Sequence, residues 1–160
     1  MFNYCATVVS RFLGISMLVF GLGSILLTQT GCGENAQQLP AEAITKVLPQ
    51  AQKTAVVIDF TSATCGACQQ LAPYLDGMRA NYAQTIMFIA VDVPQAHNAP
   101  SGSLGNRLVA AFRPRVTPTL VAIKQGGVIT SIKSGSDFTD IRDIQALFES
   151  ALPPSITSRK

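Results

Sequence analysis

Residues 56–73 read VVIDFTSATCGACQQLAP, and this stretch decides the fold of the 160-residue chain. It begins inside an apolar run, AVVIDF at 55–60, which carries one acid and predicts a strand buried on both faces. The motif CGAC at 65–68 follows and opens a predicted helix, whose apolar residues return at spacings of three and four. Two cysteines three residues apart, between a buried strand and a helix, indicate redox chemistry.

The two cysteines have different predicted tasks. A helix N-terminus offers unpaired N–H groups and a partial positive charge, which lower the pKa of a thiol, so Cys65 is the predicted exposed nucleophile. Cys68 lies one turn later on the same helical face, within reach of a disulfide with Cys65. Gly66 and Ala67 are small and let a substrate chain approach. Two other interpretations remain: half of a zinc site, for which His97 is the only histidine available, or a structural disulfide, which would stabilise little because its loop is short.

Two sites distant from the cysteines in sequence extend the predicted active site. Asp59 is the single charge in the buried strand, and an ionised carboxylate buried alone is unfavourable, so its pKa should be raised. Beneath the cysteine pair it could accept the proton of Cys68; the alternative is an acid that faces solvent at the end of the strand. Pro118 is either an ordinary first residue of a strand or the second residue of a cis peptide bond. The cis form would expose the backbone of Thr117 to an extended substrate peptide.

The rest of the chain predicts one mixed α/β domain over residues 40–152. Periodicity predicts helices at 41–53, 65–82, 104–112 and 138–152, and strands at 55–60, 86–91, 119–123 and 128–133. The last strand alternates more than the others and is expected nearer an edge. The stretch PQAHNAPSG, which contains His97, is typical of a loop.

The N-terminus is predicted to be a targeting signal or a membrane anchor. Arg11 precedes sixteen uncharged residues, 12–27, which is short for a membrane span of about 20 residues and long enough for the apolar part of a signal. LTQTGC then ends at Cys32 and resembles the lipobox of bacterial lipoproteins, so Cys32 is a predicted lipidation site; an uncleaved helix and ordinary cleavage are the alternatives. Each places the domain on the exported (periplasmic or extracytoplasmic) side, where disulfides persist. Residues 33–39 are interpreted as a tether and 153–160 as a tail.

Composition excludes several classes of protein. Hydrophobic residues make up 48% of the chain and charged residues 13%, which excludes a disordered chain. The net charge of +3 comes from cations that are scattered singly, and no run resembles a nucleic-acid-binding stripe. No nucleic-acid partner is therefore expected.

Residues 56–73, together with TPTLVAIKQGG from Thr117, resemble the thioredoxin family, and the resemblance covers about residues 40–152. It implies an α/β thioredoxin-like fold with a central four- or five-stranded mixed sheet flanked by helices. Position by position, it implies a buried acid, a nucleophilic cysteine, a resolving cysteine, a helix-kinking proline and a cis-proline at Asp59, Cys65, Cys68, Pro73 and Pro118.

Several positions depart from the family pattern. Thr61 and Thr64 replace tryptophans, and Ala67 replaces the proline between the cysteines. Phe88 stands where the family is expected to place a lysine near its acid. The usual first strand has little room before Pro40. Residues 93–115 form a longer stretch than in the family, which is interpreted either as a tolerated surface loop or as an insertion that shapes partner choice.

The resemblance implies an exported, membrane-tethered thiol–disulfide oxidoreductase that exchanges disulfides through Cys65 and Cys68. It needs no organic cofactor or metal beyond this pair. Its expected partners are exported proteins with cysteines and a membrane electron donor or acceptor. No charge adjoins the cysteines, and similarity to tethered reductases of cytochrome maturation also favours a reductant. The alternative is a thioredoxin-fold module that binds peptides or metal without turnover.

Overall fold

The computed structural model describes residues 39–138 and 140–153. The predictions for the N-terminal segment, for Cys32, for most of the tether and for the tail beyond Pro153 lie outside these residues. Within the described ranges, no helix combines the length and the apolar character needed to cross a membrane.

The described residues form a central sheet of four strands. The strands, in chain order, are β1 (Ala55–Thr61), β2 (Ile86–Asp92), β3 (Thr119–Lys124) and β4 (Val128–Ser134). Their order across the sheet is β2-β1-β3-β4; β1 is parallel to β2 and antiparallel to β3, and β4 is antiparallel to β3. The sheet is therefore mixed, as expected, and β1 with its CGAC motif occupies an interior position.

Helices cover both faces of this sheet. They are α1 (Ala41–Val47), α2 (Gly66–Tyr82), α3 (Val93–Asn98), α4 (Leu104–Phe112) and α5 (Ile141–Ser150), with short 3-10 turns at Pro49–Gln52 and Gly135–Asp137. One apolar cluster joins α1, α3 and α4 to one face of β1, and a second joins α2 and α5 to the other. Alternate side chains of β1 enter the two clusters, which is why its sequence is apolar almost throughout.

Two element predictions were wrong. The predicted helix 41–53 ends at Val47, because Pro49 disfavours helical geometry at Leu48, whose φ and ψ are −133° and 80°. In the stretch predicted as a loop, residues 94–98, which include His97, belong to the short helix α3, and residues 99–102 lie outside any helix. Asp92 caps that helix by accepting a hydrogen bond from the Gln95 N–H.

Residues 93–115, called the α3–α4 segment below, belong to the core. Leu108, Val109 and Phe112 are buried, and the Phe112 ring lies 5.7 Å from the ring of Phe60 in β1. The interpretation of this stretch as a tolerated surface loop is therefore wrong, since its apolar side chains fill one face of the sheet.

Candidate active site

Cys65 is the N-cap residue of α2, so the helix begins one residue later than predicted. Its backbone is extended, with φ −86° and ψ 105°, and its Sγ accepts a hydrogen bond from the Cys68 N–H at 3.1 Å. A disulfide joins the two cysteines. Cys68 is 7% exposed and Cys65 is partly exposed, so the sulfur at the helix end is the one that a substrate can approach.

Thr117 and Pro118 meet the cysteine pair from the start of β3. The Thr117–Pro118 peptide bond is cis, which confirms the expected geometry, and Pro118 is buried. The Thr117 carbonyl oxygen lies 3.5 Å from Cys65 Sγ. A disulfide sulfur carries no hydrogen, so this is a contact in the oxidised form; the reduced thiol can donate to the same oxygen.

Gly66 and Ala67 are exposed on the first turn of α2. A Cβ atom built on Gly66 would meet nothing within 4 Å. The surface between the cysteines is therefore open, as the prediction of substrate contact requires.

Asp59 is buried, with 8% of its surface exposed, so the interpretation as a solvent-facing acid is wrong. Its Oδ1 has no hydrogen-bond partner among the described residues. Burial raises its pKa to about 6, and the Arg79 guanidinium opposes this rise. Alternation along β1 puts Asp59 on the same face as Val57, which packs against α2, the helix whose first turn carries Cys68.

β2, the strand that follows β1 in the chain and pairs with it, carries no lysine. The register pairs Asp59 with Ala90 of β2, whereas Phe88 pairs with Val57, so Phe88 does not lie directly opposite the acid. The cation on this side comes instead from α2: the Arg79 guanidinium lies 4.6 Å from the centre of the Phe88 ring.

Sequence reasoning missed Asp92, which ties the loop before Cys65 to α3. Its Oδ2 accepts a hydrogen bond from the Ala63 N–H at 3.1 Å, while its Oδ1 accepts one from Gln95 at 2.8 Å. Gln69 donates to the Ala63 carbonyl at 3.1 Å, so both backbone groups of Ala63 are fixed. A proline two residues after Asp92 is a helix-start signal that could have identified this cap.

A cleft of about 460 Å³ lies between α3 and α4, lined by His97, Asn106, Val109, Ala110, Arg113 and Pro114. His97 thus belongs to this cleft. Across residues 39–138 and 140–153, no group of three or more His, Cys, Asp or Glu side chains is placed to hold a metal ion.

Comparison with known proteins gives one family. The thioredoxin family model matches residues 36–146. An H-type thioredoxin of Populus jackii is 27% identical over 100 residues, which cover 62% of this chain and 64% of that protein. A thioredoxin of Haemophilus influenzae is 29% identical over 76 residues, which cover 48% of this chain and 63% of that protein. The chain thus matches somewhat less than two thirds of the length of these relatives.

Solved structures with the same fold include two thioredoxins. That of Fasciola hepatica has a TM-score of 0.52 at 20% identity and covers 67% of this chain and 89% of its own. That of Entamoeba histolytica, solved as a cysteine-to-serine mutant, has a TM-score of 0.51 at 23% identity and covers 66% of this chain and 91% of its own. The expected α/β thioredoxin-like fold is confirmed.

Proposed function

The chain belongs to the thioredoxin family, and on this premise we propose that it is a thiol–disulfide oxidoreductase whose reacting groups are Cys65 and Cys68. The observation that carries the proposal is the position of Cys65 Sγ. It is the N-cap acceptor of α2, bonded to Cys68 and beside the backbone carbonyl of Thr117, which directly precedes β3. The disulfide is the redox group, and the reaction needs no other cofactor.

The exchange takes two steps in the reducing direction. The Cys65 thiolate attacks one sulfur of a substrate disulfide, forms a mixed disulfide and expels the second substrate sulfur as a thiolate. The Cys68 thiolate then attacks Cys65 Sγ, which restores the Cys65–Cys68 disulfide and releases the first substrate sulfur. Two electrons pass from the cysteine pair to the substrate, and the same steps in reverse oxidise a dithiol.

Asp59 is the proposed acceptor of the Cys68 proton. The carboxyl group lies on the sheet face that α2 covers, and its pKa near 6 leaves it mostly ionised at neutral pH. The unpartnered Oδ1 is available to hold that proton directly or through a water molecule.

Thr117, Pro118, Gly66 and Ala67 are the proposed substrate contacts. The Thr117 carbonyl is within 3.5 Å of the attacking sulfur, so an extended peptide that pairs with the backbone of Thr117 would bring its own sulfur to Cys65. The exposed first turn of α2 leaves room for that peptide.

The proposed direction is reduction of the substrate. Among the described residues, one N–H donor and one carbonyl oxygen lie within hydrogen-bonding distance of Cys65 Sγ. A single donor opposed by an acceptor stabilises a thiolate only weakly. A weakly stabilised thiolate favours the disulfide form of the protein and therefore electron donation.

The proposed location is the exported side of a membrane, with the domain tethered through its N-terminal segment and Cys32 lipidated. The support is the apolar run 12–27 after Arg11 and the lipobox-like sequence before Cys32. The partners would be exported cysteine-containing proteins and a membrane electron donor or acceptor that resets the pair. Incorporation of labelled fatty acid into the full chain, lost in Cys32→Ser, tests this location; equal labelling of both chains contradicts it.

Reduction of insulin by dithiothreitol, followed as turbidity, tests the activity. We expect the protein to accelerate the reaction, Cys65→Ser to abolish the acceleration, and Thr64→Ser, a neighbouring control of similar size, to retain it. Equal rates with wild type and Cys65→Ser would support the binding module without turnover. The equilibrium with glutathione then gives the reduction potential, and a value at the strongly oxidising end of the family range would contradict the reducing direction.

A further inference from the structure

Charge is distributed unevenly in the described domain. The α3–α4 segment contains three arginines, one histidine and no acid, whereas the other described residues contain six lysines and arginines against eight acids. The segment thus carries an excess of positive charge, whereas the rest of the described domain is slightly acidic.

The three arginines of the segment have no acidic partner within the described residues. Arg107, Arg113 and Arg115 are exposed, and the described ion pairs are made by cations elsewhere, at Arg79, Lys133 and Arg142. Unpaired guanidinium groups retain their full capacity for bidentate contact with carboxylates.

Both ends of the segment lie at the active site. Its start follows Asp92, whose carboxylate holds the N–H of Ala63, two residues before Cys65. Its end, Arg115, is two residues from Thr117, so their Cα atoms are at most about 7 Å apart. The Thr117 carbonyl touches Cys65 Sγ at 3.5 Å. The segment is therefore joined at both of its ends to residues that contact the active-site loop or Cys65.

The two helices of the segment pack closely between these ends. A Cβ atom on Gly105 would lie 3.3 Å from the Ala96 Cβ, so α3 and α4 pack closely. Arg113 ends α4 with φ 47°, and its N–H donates to the Val109 carbonyl, which fixes the backbone beside the cleft. A fixed cationic cleft can recognise a ligand without a large cost of ordering.

We propose that the cleft between α3 and α4, which Arg113 lines, together with Arg115 two residues further along the chain, docks an acidic segment of the protein whose disulfide reacts at Cys65. This proposal rests on the proposed function and adds the substrate class to it. Charge complementarity selects the occupant: carboxylates pair with Arg113 and Arg115 and raise the association rate, while basic segments are repelled. The 460 Å³ cleft has room for a few side chains of such a segment.

Peptide disulfides with one common cysteine core and either Glu-rich, Gln-rich or Lys-rich flanks test the proposal on the full chain. At low salt we expect kcat/KM for the Glu peptide to exceed that for the Gln peptide by about tenfold, and about 0.5 M salt to shrink the ratio. Arg113→Glu/Arg115→Glu should bring the ratio below one and favour the Lys peptide. The matched control Lys53→Glu/Lys124→Glu makes the same charge change at exposed positions near the opposite end of the sheet and should leave the ratio unchanged.

Binding separates this proposal from the proposed function. Fluorescence anisotropy with the Glu peptide, its cysteines replaced by serine, needs no turnover, and its Kd should weaken about tenfold in the arginine double variant. The docking site is overturned if the Glu and Gln peptides are reduced with equal kcat/KM. It is also overturned if the arginine and lysine double variants change the ratio of these two values equally. Binding of the Glu peptide without reduction of any peptide overturns the proposed function alone. A single-stranded oligonucleotide with the same charge as the Glu peptide is the competing ligand. If it binds more tightly than the Glu peptide, the proposal that the cleft takes an acidic protein segment is overturned.

Discussion

Two segments of the described domain have opposite character. The motif segment, residues 55–73, supplies both sulfurs and carries one charge, the buried Asp59. The α3–α4 segment supplies no reacting atom and carries three exposed arginines and no acid. In the two proposals above, the chemistry and the recognition of charge are built on separate parts of the chain. The first depends on a helix end and a buried strand, and the second on how an apolar helix face anchors a cationic surface.

The largest expected effect comes from removing that anchor. Phe112→Ala should lower the free energy of unfolding by about 3–5 kcal/mol, because a ring that is 3% exposed and packs on Phe60 leaves a cavity. Leu104→Ala, on the exposed side of the same helix, is the control and should lower it by less than about 1 kcal/mol. Urea unfolding measures both. Equally small losses of stability in both variants would support the interpretation of the α3–α4 segment as a tolerated surface loop.

The motif segment should show its own signature in the pH dependence of stability. The pKa of Asp59 is raised from 3.8 to about 6 in the folded protein. The folded state therefore holds a proton that the unfolded state has released between these values, and stability falls as pH rises through this window, by about 3 kcal/mol at most.

Asp59→Asn should remove this loss. Urea unfolding between about pH 3.5 and 7.5 should show the variant gaining stability relative to wild type as pH rises. The contributions of the other carboxylates to the pH dependence cancel in this difference, because both proteins contain them. Glu42→Gln, an exposed acid on α1 that forms none of the described ion pairs, is the control and should keep the pH dependence of wild type. A difference between Asp59→Asn and wild type that does not change with pH would contradict a raised pKa.

The sequence predicted the motif segment well because its signals are local. An apolar run, one acid and two cysteines at a helix start need no partner to be recognised, and β1, α2 and the disulfide lie within a residue of their predicted places. The acid was also correctly expected to have a raised pKa.

The features that the sequence did not predict depend on distant contacts. A helix of six residues, such as α3, is too short for periodicity to reveal. The pairing of Asp59 with Ala90 rather than Phe88 depends on the strand register, and the tie from Asp92 to Ala63 joins residues 29 apart. None of these contacts follows from the properties of one stretch alone.

Asp92 joins the two segments, and its removal should have an intermediate effect. Asp92→Ala should lower stability by about 1 kcal/mol through the lost cap of α3 and should also free the Ala63 N–H. Ser103→Ala removes the cap of α4 and is the matched control, because the described side-chain hydrogen bond of Ser103 comes from Asn106 and not from the loop before Cys65. Hydrogen exchange should accelerate at Ala63 only in Asp92→Ala. Unchanged exchange there would mean that the α3–α4 segment does not hold the loop before Cys65.

The smallest expected effect concerns the charge that reaches Asp59 from α2. Arg79 opposes the rise in the pKa of Asp59, so Arg79→Ala should raise that pKa further. The change should be smaller than the effect of burial, because the Arg79 side chain is 51% exposed and water screens its charge. Carboxyl carbon NMR of Asp59 measures the shift, and Arg142→Ala, which removes an exposed arginine from α5, should leave it unchanged. If the pKa of Asp59 stays fixed or falls in Arg79→Ala, the charge of Arg79 does not oppose the rise that burial causes in that pKa.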